Sequence, residues 1–422
     1  MSISFFKKGI LLGIVPLLFI MSYFFTGRSL GILTFIMFFL AFFVLIFSIS
    51  YVKNLPGNYL FFFLFPFLNV ILLSCFSFSI YQKGYTLDLL SIIIISLVIS
   101  SFFFFVIDAL HLKKIKQIPL LDVDMVFFSF LIIYIILKIY IINKTGIRVE
   151  SLIDGNRIDG KEFVIPGISG LVAILQWSLL ILFPFINRKK KVIVFTCILI
   201  FSFLSAKRGD LVRTLLFISV YYYMLNKNTI KSKNVLLFFV FIVLFGLGFA
   251  LLGDLRQTQY DSSFSIVSTL GSYYNSSSLS WLFGYTGINL EVLSRIPISD
   301  EARLPMNVII PFYRSGIDEY EVLAYYNKIS QFKISGFNAS TFLGPMVYDM
   351  GQFFWIELTL FLSVTCSLIA FSKVCGSIGS EMMILSLIAL LPFGNYLLSS
   401  QFLFAIIFSS LISVFFKRRV NE

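Results

Sequence analysis

A single histidine, His111, occurs among 422 residues, and it stands beside Lys113, Lys114 and Lys116. A catalytic triad or metal site that needs a histidine anywhere else is excluded. Cysteine is nearly as sparse. Cys75, Cys197, Cys366 and Cys375 lie in apolar runs or just after one and show no CxxC spacing, which argues against a disulfide framework or a zinc site; they read as small apolar fillers. Charge is scarce too, at 13% of residues against about 25% in soluble domains. No GxxxxGK[ST] or GxGxxG stretch is present, so nothing points to a nucleotide-driven engine. Asp122-Val-Asp124 has the form of a metal-nucleotide signature, but it is short and is expected to cap a helix instead. No metal or other cofactor is expected.

What the chain has in abundance is apolar surface: 59% hydrophobic residues, 53 of them Phe, and a mean hydropathy of +0.95. The expected class is an all-α, polytopic integral membrane protein forming one membrane domain over residues 1–422. Candidate spans run Gly9 to Phe25, Leu30 to Tyr51, Tyr59 to Ile80, Leu89 to Leu110, Met125 to Ile142, Ile168 to Ile186, Val192 to Ser205, Leu211 to Leu225, Val235 to Leu252, Phe353 to Ser372, Met382 to Leu397 and Phe402 to Phe416. The first follows Lys7 and Lys8, yet no small-residue cleavage site is evident, so it reads as a helix and not as a signal peptide.

The net charge of +12 falls in short clusters between apolar runs, the distribution that orients membrane helices and not one that binds nucleic acid. With the amino terminus inside, seventeen of the 33 Lys and Arg residues fall in short cytoplasmic loops and tails. Lys138 lies within the fifth span. Both termini are then cytoplasmic, and two loops are external, residues 143–167 and the long segment 254–352. The prolines Pro297, Pro305 and Pro311 argue against a continuous helix in the long loop. Residues from Trp281 to Leu293 suit an interfacial or re-entrant helix. Non-helical backbone at membrane depth has to be covered by protein, so this loop is expected to fold back over the bundle.

The stretch Ser205-Ala-Lys-Arg-Gly-Asp-Leu-Val-Arg213 sits at an external helix end, against the positive-inside bias. Orientation therefore does not explain Lys207, Arg208 and Arg213. Arg213 lies about one turn inside its span, where an unpaired arginine costs about 2–3 kcal/mol, and Asp210 is an available partner on the same helical face. The positive end of that helix beside Lys207 and Arg208 makes an anion site suited to a diphosphate. The plainer reading is an Asp210–Arg213 pair with Lys207 and Arg208 on lipid head groups. In the long loop, Arg256, Arg295, Arg303 and Arg314 suit bidentate contacts with phosphate or a sugar acid. Glu357, one turn into the next span, is a further intramembrane charge that needs a partner, an arginine of the loop being a suitable one.

The order of features resembles the Wzy oligosaccharide-repeat-unit polymerases. The resemblance rests on Ser205-Ala-Lys-Arg-Gly-Asp opening a helix, Gly-Asp-Leu-Arg256 opening the long loop, Leu304-Pro-Met-Asn-Val-Ile-Ile-Pro311, Gly336-Phe-Asn-Ala-Ser-Thr-Phe-Leu-Gly344 and Tyr348-Asp-Met-Gly351. It covers most of the chain from about Asn143 onward. It implies a GT-C-like glycosyltransferase of the bacterial inner membrane that joins undecaprenyl-diphosphate-linked oligosaccharides on the periplasmic side into O-antigen or a related polysaccharide. A Wzz-type chain-length regulator and a Wzx-type flippase are the implied partners. Such transfer requires stabilising the departing diphosphate and accepting a proton from the attacking hydroxyl. With no metal cluster in sight, the arginines suit the first task and Asp254, Asp318 or Glu321 the second. Two other readings stay open, a flippase for the same lipid-linked sugars and an O-antigen ligase. The charge gathered in one loop without repeated halves speaks against the flippase, and the lack of a loop histidine against the ligase, whose relatives usually carry one.

Overall fold

A computed structural model describes residues 58–74, 87–145, 165, 167–204, 208–226, 265–272, 280, 288–313, 324, 325, 327–329, 331, 332, 341–394 and 396–416. Among them the chain is helical and forms no sheet strand. The main helices are α1 (Asn58–Ser74), α2 (Leu87–Ala109), α3 (Val123–Thr145), α4 (Ile168–Ile181), α5 (Arg188–Leu204), α6 (Arg208–Asn226), α7 (Met306–Tyr313), α8 (Leu343–Met350), α9 (Phe354–Cys375), α10 (Ile378–Ala389) and α11 (Ser400–Ser413). Four stretches are long and apolar enough to cross a membrane: Asp88–Ala109, Val123–Lys144, Ile168–Phe185 and Leu343–Cys375. Their outward faces carry exposed Val98, Phe102, Ile132 and Ile136, as lipid-facing helices do. The expected spans from Gly9 to Phe25, Leu30 to Tyr51 and Val235 to Leu252 lie outside the described residues.

Helix α10 packs against α1, α4, α6, α9 and α11, and from Met382 to Ala389 every side chain is buried. It is shorter than its apolar run suggests. Pro392 and Gly394 (φ 151°) turn the chain into a 3-10 segment at Leu391–Phe393, so a span expected to reach Leu397 ends at Ala389. At 12 residues, about 18 Å at 1.5 Å per residue, it cannot bridge about 30 Å of hydrocarbon by itself. Its close approach to α4 requires a glycine, because a Cβ on Gly379 would lie 1.8 Å from the Ile181 carbonyl oxygen.

The described part of the basic set expected on one side of the membrane, at residues 113–116, 188–191 and 373, meets at one end of the bundle. Asp108, near the end of α2, accepts from the Tyr59 and Leu60 amides at 3.2 and 3.0 Å and so caps α1 from another helix. Tyr59 donates to Glu381 of α10, and Lys373 of α9 donates to the Ile107 carbonyl at 2.8 Å. Lys190 pairs with Asp124 at 2.6 Å. As expected, Asp122 caps α3, its carboxylate accepting from the Asp124 amide at 2.9 Å. At this same end the buried hydroxyls of Ser372, Ser377, Ser380 and Ser410 bond one another, so these four are satisfied where three helix ends approach. Cys197, Cys366 and Cys375 are free thiols.

Two boundaries differ from expectation. Residues 343–350, expected in the long loop, form α8, because Pro345 falls in its first turn, where no amide partner is lost. Pro311 lies inside α7, near the end of a short helix; the break falls earlier, across residues 296–305.

Gly379→Ala is predicted to destabilise the purified protein by about 1–3 kcal/mol through overpacking. Gly170→Ala, on an α4 face with nothing within 4 Å of a new Cβ, should raise stability by roughly 0.5–1 kcal/mol. Thermal unfolding in one detergent checks both signs.

Candidate functional site

At the end of the bundle opposite the basic loops, α6 opens at Arg208 and carries Asp210 and Arg213 in its first two turns. The Arg213 Nη2 donates to the Asp210 carboxylate at 2.8 Å. The guanidinium faces three aromatic rings brought by three different segments: Trp177 of α4 at 5.4 Å, Tyr396 of the turn after α10 at 5.1 Å and Phe402 of α11 at 5.6 Å. Trp177 and Phe402 also pack on each other, with centroids 4.6 Å apart. The arginine is therefore paired, as its position three residues after Asp210 suggested, and it is also caged. Its Nε has no hydrogen-bond partner among the described residues. A cage of this kind fixes a planar cation while leaving donors uncommitted.

The turn that supplies Tyr396 also anchors the long loop. The Asn289 side chain donates to the Pro392 carbonyl at 3.4 Å, and the Phe342 amide donates to the Leu391 carbonyl at 3.0 Å. Leu290, Leu293, Ile296 and Val308 join the main core, so the described part of the loop folds back over the bundle as expected. Residues 288–294 are helical and mostly buried.

Beyond this helix the chain crosses the junction of α8 and α9. Gly351 (φ 51°) lies so close to Ser299 that a Cβ would sit 1.8 Å from its carbonyl oxygen. Gln352 donates its amide to that oxygen at 3.1 Å. Asp349 holds the crossing segment from both sides: its carbonyl accepts from the Arg303 amide at 2.7 Å, and its carboxylate accepts from the Asn307 amide and the Tyr325 hydroxyl at 3.2 and 3.0 Å. The exposed Arg303 lays its guanidinium 4.9 Å from the Tyr348 ring centre. Glu357, in the first turn of α9, is fully buried, with the backbone amides of Asn307 and Val308 facing its carboxylate.

Of the residues singled out in the sequence, Arg213 lies in the aromatic cage, Arg303 rests on Tyr348 and Arg295 closes the 288–294 helix with its amide on the Val292 carbonyl. Arg208 occupies the first position of α6. Lys207, Asp254, Arg256, Arg314, Asp318 and Glu321 lie outside the described residues. Comparison with protein-family models, with curated proteins and with solved structures finds no match for this chain. The geometry therefore stands by itself. It offers a caged, partly uncommitted arginine at a helix amino terminus, a stacked arginine on the loop and a buried carboxylate.

Trp177, Tyr396 and Phe402 were not legible as site residues, since aromatics in apolar runs look alike whether they face lipid or a cation. Only Arg213 gave a signal that partners were needed.

Arg213→Lys keeps the charge but loses the planar stack, and is predicted to lower stability by about 1–2 kcal/mol. In a double-mutant cycle with Trp177→Leu, thermal unfolding should show coupling between the two positions.

Proposed function

We propose that this chain is an oligosaccharide-repeat-unit polymerase of the Wzy type, acting on undecaprenyl-diphosphate-linked sugars at the membrane face where α6 begins. The observation that carries this reading is the Arg213 guanidinium, ringed by Trp177, Tyr396 and Phe402 beside the opening turn of α6. The free amides and positive dipole end of a 19-residue helix favour an anion at that point. Arg208 and Lys207 add charge in sequence next to it, and a diphosphate is the leaving group that needs stabilising.

In this reading the loop arginines Arg303, Arg295, Arg256 and Arg314 complete the recognition of phosphates and acidic sugars. The proton from the attacking hydroxyl goes to a carboxylate at the same end. Glu357 joins Asp254, Asp318 and Glu321 as a candidate, because it is fully buried at the start of α9. No step in this scheme calls on a metal ion or cofactor. The chain would act in the bacterial inner membrane, in the company of a Wzx-type flippase and a Wzz-type chain-length regulator.

The experiment is a gel of surface lipopolysaccharide from a clean deletion strain carrying the parent gene or a variant. The parent should restore a ladder. Arg208→Ala and Glu357→Gln should give a single repeat unit on the core, with the protein still in the membrane at parental level. A ladder of parental length from Arg208→Ala would remove that residue from the site. Bare core from the deletion strain would replace the polymerase reading with a flippase or a ligase.

A further inference from the structure

The segment between α2 and α3 is neither a helix nor a free loop. Residues 110–121 run extended across the end of the bundle, tied down by backbone bonds. The Ile115 amide donates to the Val374 carbonyl at 2.8 Å, the Ile118 amide to the Val414 carbonyl at 2.9 Å and the Leu121 amide to the Phe415 carbonyl at 2.8 Å. These acceptors lie at the carboxy-terminal ends of α9 and α11, whose last carbonyls have no intrahelical partners. The strap thus closes two helix ends with its own amides. Its side chains are left pointing elsewhere.

Those side chains are of two kinds. Leu110, Ile115, Ile118 and Leu120 are 45%, 50%, 48% and 66% exposed, although each sits in a segment whose backbone is fixed. Lys113 and Lys116 between them are exposed as well. Because the strap joins the ends of two stretches long enough to cross a membrane, it lies at the level where hydrocarbon gives way to head groups. Large apolar residues held open at that level have their natural partner in the acyl boundary, and lysines beside them in phosphate. The start of α5 adds Arg188 and Lys189, both exposed, beside the Lys190–Asp124 pair that ties α5 to the end of the strap.

We propose that the strap is a binding surface for anionic phospholipid, with its apolar side chains in the acyl boundary and Lys113, Lys116, Arg188 and Lys189 on the head-group phosphates. Orientation by positive charge needs only that lysines stay on one side. A fixed strap with alternating exposed apolar and basic groups does more, since it selects which lipid stands next to α2, α3 and α5. Each basic residue near an anionic leaflet is worth about a fivefold preference. Four such residues at one place would hold an annulus of anionic lipid even in a mixed bilayer. This inference is independent of the reaction proposed above.

The test uses the full chain with Leu120→Trp, reconstituted in bilayers carrying brominated acyl chains on either phosphatidylglycerol or phosphatidylcholine. The fluorescence of the parent, which has its own tryptophans, is subtracted. The added tryptophan should be quenched, and brominated phosphatidylglycerol should quench it several-fold more effectively. Lys113→Gln with Lys116→Gln should remove most of that preference. A tryptophan that neither lipid quenches would put the strap in water and overturn the proposal. Equal quenching by the two lipids would overturn the anionic preference. Loss of the preference on adding inorganic phosphate would turn the strap into a site for soluble anions.

Discussion

Hydrocarbon offers no partner to a backbone amide or a charge, and this constraint governs the arrangement of the chain. With so few charged residues, many of the described polar groups concentrate at the two ends of the bundle. One end shows how fully they are used. Asp108 supplies the amino-terminal cap of α1, Lys373 takes the carbonyl of Ile107, Tyr59 reaches Glu381, and the strap closes α9 and α11. Four serine hydroxyls satisfy each other where three helix ends meet.

The opposite end is built differently, and the difference starts in α10. This helix is enclosed by its neighbours and stops early at Pro392, so the chain that follows it is irregular. That irregular turn does three things at once. Its carbonyls receive Asn289 and Phe342 from the long loop, and its Tyr396 ring faces Arg213. The loop, the cage and the buried helix are therefore linked, and the tight contact at Gly379 that positions α10 against α4 bears on the candidate site beside Tyr396. Where the first end has its helix ends closed by Asp108 and the strap, this one carries an arginine Nε without a hydrogen-bond partner among the described residues and a fully buried glutamate.

Much of this was legible from residue order. Apolar runs separated by basic clusters located α2, α3, α4, α5, α6, α9 and α11 within a few residues, and the role of Asp122 and the Asp210–Arg213 pair followed from spacing alone. What composition concealed were events that depend on tertiary approach. Pro392 and Gly394 shorten α10 because the turn they make is anchored by distant residues. Pro345 and Pro311, which look like breakers, are absorbed near helix ends. Gly379 and Gly351 look like any other glycine until the carbonyls of Ile181 and Ser299 are placed against them. The aromatic cage was invisible for a similar reason: Trp177, Tyr396 and Phe402 are far apart in sequence, and in a chain with 53 Phe an aromatic residue carries little information by itself.

The central claim is that the chain has two faces of different character, a closed basic face and an open face holding the arginine cage and the folded-back loop. Single cysteines placed at the exposed positions Lys113 and Asp300 in a cysteine-free background test it directly. A membrane-impermeant thiol reagent should label the cysteine at Asp300 from one side of the membrane only and the one at Lys113 from the other side only. Labelling of both from the same side would contradict the arrangement.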